Sequence, residues 1–220
     1  SSADLWYDFE NEAARLHYLT EKVYPRYVRN RLSPGRFVPG AEPLYMQDTA
    51  YRTGGPAGRY RSFDGRRGDD IDFSIDQTKD FSVTLWLKPT RGTAGSFLTQ
   101  WGGGKRGMTW NVNTDGNAKL LFVVRKADRS VQNVTIELPT GQWSHLAVTV
   151  KNPSGSSMIV TAYRNGKRVA QQEMSGLEPS KRTLHLGSDY RLSLTPYTGG
   201  MDELRIYQQV LSREAIQRGK

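Results

Sequence analysis

The feature that most restricts the fold of this chain is a series of short segments in which apolar and polar residues alternate. Phe81, Val83, Leu85 and Leu87 fall on one face of an extended segment, and the intervening residues, Trp86 among them, fall on the other. Further strands are predicted at residues 5–10, 120–124, 143–150, 158–163 and 201–207. Because successive side chains of a strand point to opposite faces of a sheet, this pattern predicts a mainly β protein.

Turn and cap signals separate and end these segments. Asn165-Gly166 is the strongest hairpin signal, since both residues tolerate the positive φ that a two-residue type I′ turn requires. Ser212 is a suitable N-cap and Glu214 lies in the turn that follows it, which predicts a short helix at the end of the sequence. The 22 glycines also fit a fold rich in tight turns, and the absence of cysteine excludes disulfides and thiolate metal sites.

Residues 11–58 follow a different pattern. Four apolar residues are spaced three or four apart, as on one face of a helix: Leu16, Leu19, Val23 and Tyr27. The proline- and glycine-rich residues 33–58 are predicted to form a loop. We therefore expect one sandwich domain over residues 1–220, with residues 11–58 as a basic helix-and-loop insertion after the first strand. The insertion either binds an anionic polymer or packs over one sheet, and packing is the favoured alternative.

Six sequence fragments, taken in their order along the chain, indicate the type of domain. They are Leu5–Glu10, Ser62-Phe63-Asp64-Gly65 with Asp69-Asp70-Ile71, Phe81–Pro89, Trp143–Thr149, Tyr163-Arg164-Asn165-Gly166-Lys167, and Gly200–Tyr207 with Val210-Leu211-Ser212. Together they resemble the bacterial laminin-G-like family of concanavalin A-like lectin/glucanase domains. The resemblance implies an all-β concanavalin A-like jelly-roll sandwich of two antiparallel sheets, with an N-terminal helix/loop insertion and a short C-terminal helix.

The acidic residues do not form a recognisable catalytic pattern. Hydrolases that resemble this family carry their carboxylates as E-x-D-x-(x)-E on one strand, and no such string occurs. The densest acidic stretch, residues 69–76, contains only aspartates, of which Asp70, Asp72 and Asp76 are predicted to form one solvated strand face. The sequence therefore predicts that the protein is not an enzyme.

No cofactor is predicted either. The three histidines, His17, His145 and His185, lack the short spacing of a metal site, so structural roles are favoured for them. By the resemblance, Asp64 and Asp202 sit near sandwich edges, where a structural calcium would have to be held. Turn capping is the favoured role for both, and calcium is not expected.

Residues suited to recognition cluster around two loops. Trp101, Arg106 and Trp110 flank a glycine-rich loop, with Arg125 one strand and one turn further on. The second loop carries Tyr190, Arg191 and Tyr197. Aromatic rings stack on sugars and guanidinium groups bind carboxylate or sulfate, so we predict that these residues bind ligand. For Trp101 and Trp110 a place in the core remains an equal alternative, whereas Trp86 and Trp143 are predicted to be core residues.

The net positive charge of the chain helps to predict which partners it binds. The formal net charge of +9 either attracts polyanions or serves only solubility. The leading hypothesis is a non-catalytic recognition module of an exported protein, secreted, periplasmic or on the cell surface, and part of a longer chain. It would bind a glycan, acidic or neutral, or a cell-surface partner protein; nucleic acid is not favoured, and no apolar run is long enough to span a membrane. The alternatives are a structural interaction domain of a larger surface assembly such as a pilus-like appendage and, least favoured, a glycan-cleaving enzyme.

Overall fold

The computed structural model describes residues 5–7, 51–65, 69–71, 73–90, 95–102, 106–112, 117–123, 131–188 and 197–219. These residues form two antiparallel sheets and one short helix, which confirms the predicted all-β sandwich and the C-terminal helix. The predicted N-terminal helix and the greater part of the predicted insertion lie outside the described residues.

The strands are short and regular. In chain order they are β1 (Leu5–Tyr7), β2 (Tyr51–Gly55), β3 (Gly58–Asp64), β4 (Asp69–Ile71), β5 (Phe81–Pro89), β6 (Gly95–Gly102), β7 (Arg106–Val112), β8 (Asn117–Val123), β9 (Val131–Glu137), β10 (Ser144–Lys151), β11 (Met158–Arg164), β12 (Lys167–Met174), β13 (Leu184–Leu186) and β14 (Thr198–Tyr207). The helix, α1, spans Arg213–Arg218.

The strands divide into a sheet of eight and a sheet of six. The larger sheet has the order β12-β11-β10-β5-β14-β3-β2, and β1 also pairs with β14. The smaller sheet has the order β4-β13-β6-β7-β8-β9. Strand β14 is central to the larger sheet, because its first half pairs with β3, its second half pairs with β1, and its other edge pairs with β5.

The core lies between the two sheets and is built from the inward face of each strand. Phe81, Val83, Leu85 and Leu87 are all 0% exposed, as their alternation predicts. The inward residues of β10, β11 and β14 join them from the same sheet, and Leu98, Met108, Trp110 and Ile136 face them from the other. Burial of this apolar surface is the main force that holds the sheets together.

The predicted Asn165-Gly166 hairpin is confirmed. Asn165 has φ 51° and Gly166 has φ 78°, the positive values that a type I′ turn requires, and the turn joins β11 to β12. Asn165 also binds the start of β10, because its backbone N–H donates to the His145 carbonyl (2.8 Å) and its Oδ1 accepts from the His145 N–H (2.9 Å). The turn therefore joins β11 to β12 and also holds the start of β10 beside them.

The predicted cap of the terminal helix is also confirmed. Ser212 Oγ accepts a hydrogen bond from the Ala215 N–H at 3.1 Å. The Glu214 carboxylate accepts from its own backbone N–H and from Ser212, and these bonds lower the pKa of Glu214. Ile216 is buried in a small second apolar cluster with Tyr163 and Tyr207 on the outer face of the larger sheet.

Two local predictions are wrong. Tyr51–Gly55, predicted to be loop, is a strand that pairs with β3. In the acidic stretch, β4 ends at Ile71, so Asp76 does not share a strand face with Asp70. Asp76 instead begins a turn, where its Oδ1 accepts from the Thr78 N–H (3.1 Å) and hydroxyl (2.6 Å), which lowers the pKa of Asp76.

Candidate binding groove

A groove of about 690 Å³ lies at one end of the larger sheet, where β3, β5 and β14 run side by side. We call it the Tyr60 groove. Its lining residues include Arg52, Tyr60, Ser62, Asp64, Lys88 and Thr90. Gly199 and Gly200 line it as well.

Strand register brings these residues together. Gly200 of β14 pairs with Ser62 on one side and with Lys88 on the other, so the three residues form one row across the sheet. Arg52 pairs with Tyr60 across the β2–β3 hairpin. Because paired residues point to the same face, the polar side chains of three non-consecutive strands open on the groove together.

Gly200 has no room for a side chain, and this shapes the groove. A Cβ at Gly200 would lie 2.6 Å from Trp143 Cη2 and 3.0 Å from Tyr60 Cδ2. In its absence the two aromatic rings meet edge to face, with centroids 5.0 Å apart and an interplanar angle of 82°. The Tyr197 hydroxyl, buried in the core, donates to the Gly200 carbonyl at 3.2 Å. The floor of the groove is therefore held from the core side.

The groove carries charge of both signs. Arg52 and Asp64 are exposed, whereas Tyr60 and Lys88 are half-buried. The Lys88 ammonium lies 6.0 Å from the centroid of the Trp143 ring, at the outer limit of a cation–π contact. An aromatic ring flanked by cationic donors, a carboxylate acceptor and hydroxyl groups suits a polyhydroxylated ligand, which needs both stacking and hydrogen bonds.

Two of the predicted ligand-binding residues, Trp110 and Tyr197, are core residues, so the prediction is wrong for them. Trp110 is 0% exposed and packs edge-on against Phe97, with centroids 6.0 Å apart. Tyr197 is also 0% exposed, and burial raises its pKa well above the usual value. It contacts Phe63 and Phe97. With no exposed surface, neither ring can stack on a ligand.

Of the other predicted site residues, Trp101 is described with its side chain, and it is not brought together with Tyr197. Trp101 is half-buried at the end of β6, where it pairs with Gly107, the neighbour of Arg106. Tyr197 hydrogen-bonds through its N–H to Gly187, whose own N–H donates to the Phe97 carbonyl. Phe97 and Trp101 are four residues apart on one strand, roughly 13 Å. Arg125, Tyr190, Arg191 and the side chain of Arg106 lie outside the described residues, so their predicted role stays a prediction.

The prediction that Trp86 and Trp143 are core residues is wrong, since both are half-buried on the outer side of the larger sheet. Trp86 packs edge-on against His145, with centroids 5.3 Å apart. The alternation of β5 already places Trp86 opposite the core, and Lys88, two residues on, shares that face. The outward position of Lys88 on β5 could thus be predicted from the sequence. Tyr60 and Asp64 lie near Lys88 because β14 pairs with both β3 and β5, and that pairing could not be predicted.

Asp202 has the geometry of a cap. It is 0% exposed; its Oδ2 accepts from the Ala57 N–H at 3.2 Å and its Oδ1 from the Glu203 N–H at 2.8 Å. His185 Nδ1 lies 3.0 Å from the Thr183 carbonyl. Within the part of the chain that the structure describes, no three histidine, aspartate or glutamate side chains form a group that could hold a metal ion. None of its helices has the length and apolarity to cross a membrane.

Comparison with known proteins agrees with this architecture. Residues 67–217 match the Laminin_G_3 family, described as the concanavalin A-like lectin/glucanases superfamily. Because the match covers more than half of the chain, the protein belongs to this family of lectin-like sandwich domains. A search of curated protein sequences gives no match.

Several solved structures share the fold. The binding domain of botulinum neurotoxin serotype D has a TM-score of 0.67 and 13% identity over 99% of this chain and 51% of that one. The binding domain of Paraclostridial Mosquitocidal Protein 1 has a TM-score of 0.68 and 11% identity, over 97% and 51%. This chain thus spans about half the length of each toxin domain.

Domain 4 of AbnA, a GH43 extracellular arabinanase from Geobacillus stearothermophilus, was solved in complex with arabinotriose. It has a TM-score of 0.59 and 24% identity, and the match covers 77% of this chain and 79% of that one. At these identities, the likeness to all three structures establishes the fold alone.

Proposed function

We propose that this protein is a non-catalytic carbohydrate-binding module and that the Tyr60 groove is its sugar site. The observation that carries the proposal is the position of the half-buried Tyr60 ring beside Lys88 and Asp64, over a floor of two glycines. Glycine at residue 200 leaves room for the edge contact between the Trp143 and Tyr60 rings, which a side chain there would displace.

Each residue has a distinct role in this proposal. The Tyr60 ring stacks on the apolar face of one sugar unit, and its edge contact with Trp143 holds its orientation. Lys88 and Arg52 donate hydrogen bonds to sugar oxygens, and Asp64 accepts from sugar hydroxyls. Since these groups project from paired strands and a hairpin, the site is largely formed before the ligand arrives, which lowers the entropic cost of binding.

Two findings support a binding role. Among the structures that share the fold are binding domains, and one is a domain of an extracellular arabinanase in complex with arabinotriose. Neutral oligosaccharides of pentoses are therefore the first ligands to test. Polysaccharides of this kind lie outside cells, so we infer that the module belongs to an exported protein, secreted, periplasmic or on the cell surface.

Calorimetric titration with arabinotriose, together with an array of neutral and acidic glycans, tests the proposal. We expect Tyr60→Ala to raise the Kd of the bound glycan at least about tenfold, because the stacking surface is lost. Tyr60→Phe keeps the ring and should stay close to the parent protein. Trp101→Ala is the matched control, since Trp101 is also a half-buried aromatic but lies at the end of β6.

The opposite pattern would place the site elsewhere. Loss of binding in Trp101→Ala, with Tyr60→Ala unaffected, would move the site to the loop after β6. If no glycan binds at any tested concentration, the carbohydrate proposal fails and a structural interaction domain becomes the better interpretation. Melting temperatures of all variants separate loss of binding from loss of folding.

A further inference from the structure

A second groove, of about 630 Å³, lies on the larger sheet between the β11–β12 hairpin and helix α1. We call it the basic groove. Its lining residues are Tyr163, Lys167, Arg168 and Arg213. Three of the four are cations, and all three are exposed.

Contacts of the hairpin and the helix place the backbone of these three cationic residues around one groove. Lys167 and Arg168 follow the rigid Asn165-Gly166 turn, and Arg168 pairs with Tyr163 across the hairpin. The Gln217 amide lies 3.5 Å from the Gly166 carbonyl, which joins α1 to the turn. Apolar packing of Ile216 with Tyr163 holds the helix on the sheet, so Arg213 stays on the opposite wall of the groove.

The charge of the basic groove is not balanced by its own walls. No carboxylate is among the lining residues. Glu214, next to Arg213 in sequence, accepts hydrogen bonds from its own N–H and from Ser212, and the charge of Arg213 contributes less than these bonds to its lowered pKa. Arg168 Nη1 donates to a neutral amide, Gln171 Oε1, at 3.0 Å. Three cations that line one groove with no carboxylate among its walls repel one another, and a bound anion would relieve that repulsion.

We propose that the basic groove binds the sulfate or carboxylate groups of an acidic polysaccharide. Arginine on both walls can bind such groups bidentately, and Lys167 adds a third donor. A single-stranded nucleic acid would require exposed aromatic faces for its bases, but Tyr163 is only 9% exposed. The basic groove does not share a lining residue with the Tyr60 groove, so this proposal stands or falls separately from the neutral-sugar site.

Two variants of equal net charge test the proposal. The first replaces Lys167, Arg168 and Arg213 with glutamine. The second replaces Lys79, Lys151 and Lys181 with glutamine as well. These three lysines are exposed and do not line the basic groove. Each variant lowers the formal net charge from +9 by 3, to +6. Binding to dextran sulfate is measured against uncharged dextran at low and high salt, with polygalacturonate as the carboxylate probe and single-stranded DNA as the competing polyanion.

We expect dextran sulfate to bind the parent protein and dextran not to bind at this groove. The groove variant should raise the apparent Kd for dextran sulfate at least about tenfold at low salt, while the control variant changes it much less. Comparing the Kd values for dextran sulfate and polygalacturonate shows whether the groove prefers sulfate or carboxylate groups. Equal weakening in both variants would mean that only net charge matters, and preference for DNA over both polysaccharides would also overturn the proposal. Arabinotriose binding should be unchanged in the groove variant.

Discussion

Gly187 shows how strictly a single position is determined in this sandwich. It has φ +73°, and a Cβ there would lie 2.2 Å from the Phe63 ring. Its N–H donates to the Phe97 carbonyl at 3.0 Å, and its own carbonyl accepts from the Tyr197 N–H at 2.8 Å. Backbone conformation and a core aromatic ring thus both require glycine at this residue, and two backbone hydrogen bonds hold it in place.

Gly187→Ala should therefore be strongly destabilising. We expect a loss of more than about 3 kcal/mol in the free energy of unfolding, because the methyl group overlaps a ring in a packed core and adds backbone strain. Gly141→Ala is the control: Gly141 has φ +72° but no atom within 4 Å of the added Cβ. It should lose only about 1 kcal/mol from backbone strain alone. Urea unfolding of both variants measures the difference, and equal losses would contradict the role given to the Phe63 contact.

Single residues also show what the sequence could and could not predict. Met108, Trp110 and Val112 are spaced two apart in the sequence, and this alternation favours Trp110 as a core residue. The glycine-rich residues 102–104, which lie between Trp101 and Trp110, favour ligand binding instead. Tyr197 gave no such signal, because it precedes β14 and is buried by Phe63 and Phe97, which are distant in sequence.

At the level of elements, local signals succeeded where a strand or helix is fixed by its own sequence. The Asn165-Gly166 turn and the Ser212 cap depend on residues close together in the chain, and both are confirmed. The β2–β3 hairpin is different. Its composition is typical of a loop, and it is held by Asp202, which is 145 residues away from Ala57. Contacts at that separation cannot be derived from local patterns.

Asp202→Asn tests how strongly β14 holds this hairpin. Both carboxylate oxygens accept backbone N–H groups in a fully buried position, and an amide nitrogen would place a donor against a donor. We expect a loss of about 1–3 kcal/mol in the free energy of unfolding and faster amide exchange at Ala57.

Asp80→Asn serves as the comparison for Asp202→Asn. Asp80 Oδ1 also accepts a backbone N–H, that of Asn152 at 2.8 Å, but at an exposed position where water can replace the bond. We therefore expect a smaller loss for Asp80→Asn. If the two variants lose the same amount, the buried cap is not a special constraint on the hairpin.

At the level of the whole molecule, the order of the six family-like fragments was enough to predict two antiparallel sheets and the family. The same information could not predict the Tyr60 groove. That groove depends on β14 standing between β3 and β5, so that Ser62, Gly200 and Lys88 share a row. The basic groove likewise requires α1 to fold back on the hairpin. Strand register and strand order determine which recognition residues lie close together, and both depend on long-range packing.

A buried polar network joins the parts of the sandwich that ordinary sheet pairing leaves separate. Gln100, on β6 of the smaller sheet, is 0% exposed. Its Oε1 accepts from the Ile75 N–H at 2.7 Å, and its Nε2 donates to the carbonyls of Ile75 (2.7 Å) and Ser180 (3.1 Å). Gln77 adds two bonds, from its Nε2 to the Gln100 carbonyl and from the Ser180 N–H to its Oε1. The segments that enter β5 and β13 are thus both bound to β6.

Gln100→Leu should weaken the whole domain rather than one loop. Leucine keeps similar volume but leaves the Ile75 N–H and carbonyl buried without this partner, and each such group costs about 1–3 kcal/mol. We expect a loss of at least about 3 kcal/mol in the free energy of unfolding, with one cooperative transition. Gln171→Leu, at an exposed position on β12, should change it by less than about 0.5 kcal/mol. Urea unfolding followed by tryptophan fluorescence measures both; a loss in Gln100→Leu no larger than in Gln171→Leu would show that the crossing segments are held by apolar packing alone.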